Sequence, residues 1–408
     1  MQRTWKVVRK TLAIGAAVGV LAVGLLFASL ALEHQSPLEL PRPTGPFAVG
    51  RLATTWVDTA RMDPFAPTPP RHRELVVWIW YPAESSDRAR TAEYLPAPWR
   101  RALAEHSGVL LTRFFYRDLT KVHGHSLENA AVARARPTYP VVVFRSGIGA
   151  LALQYSTLVE DLASHGYIVV GADAPYSTSV VVMPDGRVIH KTLAGNPGDA
   201  PIPEAERVRL AQALIGVWTA DTRFLLDRLA RLDSGDPAGL LAGRIDLGWV
   251  GIAGHSFGGA TAAQLCHDDR RCRAGVDLDG RLFGSVVKEG MDQPFLFLMS
   301  DHGNAFTSSD CQICDQIRSA ARRNPTDKLI VTMLRAHHFS CADFAVLQSR
   351  ILRSALVALG GQGGLDPRTG LAAHARYVRE LFDVHLRGTP RAALYSGPLV
   401  PGARFETK

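Results

Sequence analysis

Apolar and polar positions change their rhythm three times along this chain. An uncharged apolar run extends from Leu12 to Leu32. Its 21 residues would span about 31 Å as a helix, close to the thickness of a bilayer's hydrocarbon layer. Residues 36–46 carry Pro37, Pro41, Pro43 and Pro46, a stiff, extended spacer. Phe47–Val57 and Glu74–Tyr81 are then rich in β-formers. They predict an antiparallel pair, interrupted by Pro64, Pro67, Pro69 and Pro70 and closed by Pro82.

From Pro140 the rhythm becomes strand–helix, which predicts a parallel sheet with crossover helices. The short apolar runs Val141–Phe144, Tyr167–Ala172, Leu247–Ala253, Ala274–Leu278, Phe295–Met299 and Leu329–Leu334 predict strands buried on both faces. Between and after them, Tyr155–His165 (stopped by Gly166), a long segment after Pro203, Phe257–Cys266, Asp310–Arg322 and Arg368–Leu386 predict helices. In the long segment Val208, Ala211, Leu214, Ile215, Trp218, Leu225, Leu226, Leu229 and Leu232 keep a spacing of three or four. With the opening pair this gives a mostly parallel, eight-stranded sheet flanked by helices, the strand count of an α/β-hydrolase fold, behind an N-terminal transmembrane helix. The expected organisation is 1–35 anchor or signal, 36–46 spacer, 47–390 catalytic domain and 391–408 tail. Two stretches fit no core element, Ala83–Thr138 and about Ala174–Pro203. The first reads as a cap-like insertion at 83–138 carrying Trp99, Leu103, Leu110, Leu111, Phe114 and Phe115 among basic residues. Such a segment covers a substrate channel, meets lipid, or packs on the main core.

Composition sharpens the location more than the fold. Of 408 residues 47% are hydrophobic and 21% charged, an ordinary globular balance. The net charge of +8 is front-loaded: Arg3, Lys6, Arg9 and Lys10 precede the first acidic residue. The rest forms no basic stripe with stacking aromatics, so nucleic acid is not an expected partner. Basic residues ahead of the apolar run favour a cytoplasmic N-terminus and an extracytoplasmic domain. The run's length favours an uncleaved single-pass anchor in the cell membrane over a cleaved signal, for which Ser29 and Ala31 would be the small residues before the cut and the domain would be secreted. Cys266 with Cys272, and Cys311 with Cys314, are close enough to bridge, which suits an exported domain; Cys341 is left over.

The chemistry concentrates in Gly254-His255-Ser256-Phe257-Gly258, a G-x-S-x-G between a predicted strand and a predicted helix. On such a turn the serine hydroxyl stands clear of the backbone, and the helix directs its positive end at developing negative charge. A serine hydroxyl needs a base and an orienting acid, in this fold in the order Ser, acid, His. His337 and His338 directly follow a predicted strand, and either can be the base; His302 is placed less well. Asp279 and Asp301 both end strands, and the pattern alone does not separate them. His123-Gly-His125 lacks a carboxylate partner, and Gly147-x-Gly149 lacks the rest of a dinucleotide fingerprint. No metal or cofactor is expected.

Several stretches together resemble the plasma-type platelet-activating factor acetylhydrolase family, also called lipoprotein-associated phospholipase A2. They are Tyr139-Pro-Val-Val-Val-Phe144, Gly147-Ile-Gly-Ala150, Asp161-Leu-Ala-Ser-His-Gly-Tyr167, Gly254-His-Ser-Phe-Gly-Gly259, Leu278-Asp-Gly280 and Ala342-Asp-Phe344. The likeness runs from about Gly45 to His385. It implies Ser256 as nucleophile, Asp279 as acid and His338 rather than His337 as base. It implies an oxyanion hole built from the backbone N–H groups of Phe257 and Ile148. It also implies a serine-dependent, calcium-independent ester hydrolase acting on phospholipids with short or oxidised sn-2 acyl chains. One departure stands out: the family's Ser-His-Gly is Arg145-Ser146-Gly147 here, which removes a histidine beside the oxyanion loop. A broad carboxylesterase or polyester hydrolase, and a catalytically inactive binding module of hydrolase shape, are the competing expectations.

Overall fold

In a computed structural model of the chain, the apolar runs line up as one ten-stranded sheet. The structure describes residues 2–86, 88–107, 117–198, 200–235, 239–301, 311–323, 327–360 and 363–406. In chain order the strands are β1 (Ala48–Met62), β2 (His72–Ala83), β3 (Ser126–Glu128), β4 (Tyr139–Arg145), β5 (Ile168–Asp173), β6 (Ile245–His255), β7 (Cys272–Leu278), β8 (Phe295–Ser300), β9 (Lys328–Met333) and β10 (Ala403–Phe405). Their order across the sheet is β10-β9-β8-β7-β6-β4-β5-β2-β1-β3. The six central strands from β5 to β9 run parallel, and β1, β2 and β10 supply antiparallel pairings towards the edges.

The eight expected strands are all present, and two short edge strands extend them. One of these, β3, lies inside the insertion and pairs parallel to β1. The other, β10, lies in the tail and pairs antiparallel to β9. The rest of the insertion that is described also packs down. Helix α2 (Ala97–Ser107) sets Ala102 against Val180 and Val182, and Trp99 lies edge-on to Trp78 at 5.4 Å. Leu110, Leu111, Phe114 and Phe115 of the expected cap lie outside the described residues, as do His302 and Asp310. The second unassigned stretch contains a small hairpin, Val180–Val182 with Val188–His190.

Period-two alternation explains the two cores. Val142 and Phe144 of β4 face one layer, Val141 and Val143 the other. The first layer holds α3 (Ser156–Ser164) and α7 (Pro367–Arg387), through Leu158, Leu162, Tyr377, Leu381 and Phe382. The second holds α4 (Glu204–Gly235), α5 (Phe257–Asp268) and α6 (Gln312–Arg323), through Leu225, Leu229, Ala262 and Ile317. Each fully buried Leu or Phe contributes roughly 1.5–3 kcal/mol. Consequently the carboxyl ends of β4, β6, β7 and β9 form a rigid platform. The apolar N-terminal run belongs to helix α1 (Gln2–Gln35), of which Arg9–Gln35 is long and apolar enough to cross a membrane. The structure bridges Cys266 with Cys272 and Cys311 with Cys314, leaving Cys341 as a buried thiol.

Candidate active site

Ser256 occupies the turn between β6 and α5 with φ 55° and ψ −122°, a backbone conformation that L-residues seldom adopt. Both flanking glycines are sterically required. A Cβ on Gly254 would fall 2.2 Å from Gly258, and one on Gly258 would fall 2.2 Å from the Arg145 carbonyl oxygen. The turn is tied to the next strand by Ser256 N–H donating to the Leu278 carbonyl, 2.8 Å.

The structure brings Ser256, His338 and Asp279 into one hydrogen-bonded line. His338 Nε2 lies 3.0 Å from Ser256 Oγ, and its Nδ1 lies 2.7 Å from Asp279 Oδ2. Asp279 is buried at the end of β7, on a turn with φ 58°. Its other oxygen, Oδ1, accepts the Ser300 N–H at 2.8 Å, which fixes the carboxylate's rotation. Asp301 is turned elsewhere: its Oδ2 accepts the Arg335 N–H at 2.6 Å, at the start of the loop that carries the histidines. His337 serves that same loop. Its Nδ1 takes the Phe339 N–H at 3.2 Å and its carbonyl accepts from Ser300 Oγ. Of the two pairs that pattern left open, His338 and Asp279 are the members hydrogen-bonded in line with Ser256.

Around the line, burial suppresses competing charge. Asp277 is fully buried beside Asp279, and desolvation pushes its carboxyl well above the usual carboxylate range, aided by the charge of Asp279. One of its oxygens accepts the Gly280 N–H at 2.8 Å, which braces the turn on which Asp279 stands. Burial, with His338 as neighbour, holds His255 down at about 3, so its imidazole is neutral.

The glycine loop after β4 lies against the nucleophile: a Cβ on Gly147 would fall 3.4 Å from Ser256 Cβ. The N–H groups of Ile148 and Phe257 have no acceptor among the described residues. The loop holds its shape without the histidine missing from it. Ser146 Oγ donates to the Ala150 carbonyl at 3.0 Å, Gly149 N–H to the Ser177 carbonyl at 3.1 Å, and Gly147 N–H to Tyr155 Oη at 3.1 Å. Arg145, the other departure, is fully buried with its guanidinium 4.6 Å over the Trp218 ring. None of its three side-chain nitrogens has a hydrogen-bond partner among the described residues. The contacts of Tyr155 and His255 beside this loop have no signal in the sequence. Tyr155 falls where a helix is expected to begin, and His255 reads only as the variable residue of G-x-S-x-G.

An α/β-hydrolase sheet with this constellation at its strand ends defines a class, and comparison with known proteins agrees: the protein is a carboxylic ester hydrolase. The family described as platelet-activating factor acetylhydrolase, isoform II, matches residues 32–178 and 231–386, and the chain belongs to that family. A platelet-activating factor acetylhydrolase from Bos taurus is 26% identical over 355 residues, covering 81% of this chain and 74% of the relative. A probable 1-alkyl-2-acetylglycerophosphocholine esterase from Arthroderma benhamiae is 25% identical over 297 residues, covering 68% of this chain and 69% of the relative. Among solved structures, a ferulic acid esterase from Streptomyces cinnamoneus aligns with a TM-score of 0.74 at 28% identity, covering 91% of this chain and 100% of that one.

Proposed function

We propose that the protein hydrolyses carboxylic esters through an acyl-enzyme on Ser256. The observation that carries this reading is the unbroken line Asp279–His338–Ser256. His338 takes the Ser256 proton as Oγ attacks the ester carbonyl. Asp279, held by Ser300, keeps the ring in the tautomer with its proton on Nδ1 and balances the imidazolium that forms. The N–H groups of Phe257 and Ile148 receive the oxyanion, each such donor being worth roughly 3–4 kcal/mol in the transition state. His338 then protonates the leaving alcohol. Water, deprotonated by the same imidazole, releases the acid and restores Ser256.

For the substrate, the family and the names of its relatives support a phospholipid with a short or oxidised sn-2 acyl chain. The extensive match to a ferulic acid esterase favours a second reading, a broader carboxylesterase. The membrane fits the first reading. Helix α1 leaves Leu12, Val18, Val20 and Leu25 exposed, a surface that suits lipid, so we read it as an uncleaved anchor with the domain on the extracytoplasmic side. A Ser256→Ala chain should lose hydrolysis of p-nitrophenyl acetate and labelling by a fluorophosphonate; normal turnover would end this account. A panel varying head group and acyl length separately decides between the substrates, through higher kcat/KM on the short-chain sn-2 phospholipid than on simple esters.

A further inference from the structure

Two buried side chains, through three hydrogen bonds, connect the oxyanion loop to the catalytic-histidine loop. His255 Nε2 lies 2.7 Å from the His338 carbonyl oxygen. His255 Nδ1 lies 2.7 Å from Tyr155 Oη, and Gly147 N–H donates to that same Tyr155 oxygen at 3.1 Å. Every direction in this chain is determined. A carbonyl only accepts, so Nε2 carries the proton. Nδ1 is then a lone pair, so Tyr155 donates to it, and the Tyr155 oxygen is left to accept from Gly147. We propose that Tyr155 and His255 are positioning residues that hold the Ile148 N–H and His338 in one register around Ser256.

The inference rests on the reading of Ser256, His338 and Ile148 given above, and extends it to two side chains that touch no substrate. Both ends of the strap are backbone groups of the reacting machinery: the carbonyl of His338 itself, and the amide one residue before Ile148. The residues span separate elements. His255 ends β6, Tyr155 precedes α3, Gly147 follows β4 and His338 follows β9. Both side chains are essentially inaccessible to solvent, and the His255 and His338 rings lie 4.5 Å apart. Gly147 has no room to move towards the strap, because a Cβ there would already be 2.9 Å from His255 Nδ1. Burial keeps His255 neutral, so the strap carries no charge of its own into the site. An apolar pair could fill this space equally well. What the polar chain adds is direction, and a satisfied buried network specifies one arrangement.

The test uses the full chain with Tyr155→Phe, His255→Phe, His255→Gln and the double Phe variant, alongside Ser256→Ala. Readouts are kcat and KM on a short-chain ester, thermal midpoint, and inhibition by a methyl trifluoromethyl ketone whose hemiketal oxyanion occupies the hole. A non-hydrolysable ether of the same shape reports ground-state binding. Since the donor is displaced and not deleted, we expect Tyr155→Phe and His255→Phe to lower kcat about 10- to 100-fold with KM little changed. Ketone inhibition should weaken in proportion, while ether binding holds. A glutamine amide spaces its N–H and C=O much as imidazole spaces its nitrogens, so His255→Gln should recover most of the loss. The double variant should be no worse than the poorer single one. Tyr155→Phe removes a single oxygen, so it keeps the test open if His255→Phe does not fold. A folded Tyr155→Phe chain with undiminished kcat and ketone affinity would overturn the proposal, as would a His255→Gln chain as impaired as His255→Phe. Activity retained by Ser256→Ala would instead unseat the nucleophile, a failure visible before any strap variant is measured.

Discussion

Asp279 and Asp301 end neighbouring strands, and it is Asp279 that meets the His338 imidazole, at 2.7 Å. Asp279→Asn should lower kcat on the order of 10³–10⁴-fold, because the amide presents the wrong tautomer to His338. Asp301→Asn should leave kcat within a few-fold and weaken the Arg335 turn. Steady-state kinetics on both variants checks the assignment, and the opposite ranking would move the acid to Asp301. Spacing along the chain made both carboxylates eligible, since each follows a strand. What separates them is the left-handed turn at Asp279, braced by Asp277 and Gly280, which no periodicity encodes. The serine was legible because Gly254 and Gly258 are the only residues that fit their positions. A second residue-scale outcome follows from Asp343, which burial pushes up to about 7 although it accepts the N–H groups of Ser156 and Thr157. Unfolded, this carboxyl releases its proton near the usual 3.8, so between about pH 4 and pH 7 the folded chain binds the extra proton. Its stabilising contribution is complete below that window, is lost as pH rises through it, and is constant above. Asp173, pushed up to about 6, has the same sign. Thermal midpoints measured across this range should therefore fall more steeply for the parent chain than for Asp343→Asn.

At the scale of elements, the central strands and main helices were legible because their apolar runs are long, regular and buried on both faces. The two edge strands were not. Ser126–Glu128 and Ala403–Phe405 are three residues each, and what makes them strands is the open edge beside them. The tail strand nonetheless bears on the site. It pairs Phe405 with Val331 and Ala403 with Met333, and the Gly402 carbonyl accepts the Leu334 N–H at 2.7 Å, four residues before His338. Glu406 adds a two-pronged, half-buried pair with Arg318 at 2.7 and 2.9 Å. A chain ending at Val400 should melt roughly 5 °C lower. It should also lose activity several-fold as the histidine loop loosens, and self-associate through the uncovered β9 edge. Differential scanning calorimetry, kinetics and size-exclusion chromatography test the three effects. Unchanged kcat with a lowered melting point would separate the tail from the site.

For the whole molecule, the residues joining helix to domain are docked along their length. The spacer is extended, as its prolines dictate, but it lies on the domain. Leu40 N–H donates to the His123 carbonyl, Thr44 binds Asp161, and Gly45 N–H binds Ser164. The end of α1 is seated too, with Leu30 and His34 buried and the Glu33 carboxylate accepting from Ser349 Oγ and Arg350 N–H at 2.6 and 2.7 Å. These partners are 316 and 317 residues away in sequence, so no local pattern could show them. With α1 inserted in a bilayer as proposed above, a domain held this close to it would sit at the membrane surface, and the question becomes which surface. The basic residues before the helix favour retention of the N-terminus in the cytoplasm, and two bridged cysteine pairs favour an oxidising compartment for the rest. Both arguments converge on one measurement. Full-length protein, acid-quenched and unfolded without reductant, should take up one maleimide, at Cys341, and five after reduction. Protease added outside intact cells should remove the catalytic domain while a tag on the N-terminus stays protected. Five adducts before reduction, together with a protected domain, would place it in the cytoplasm and reverse the topology.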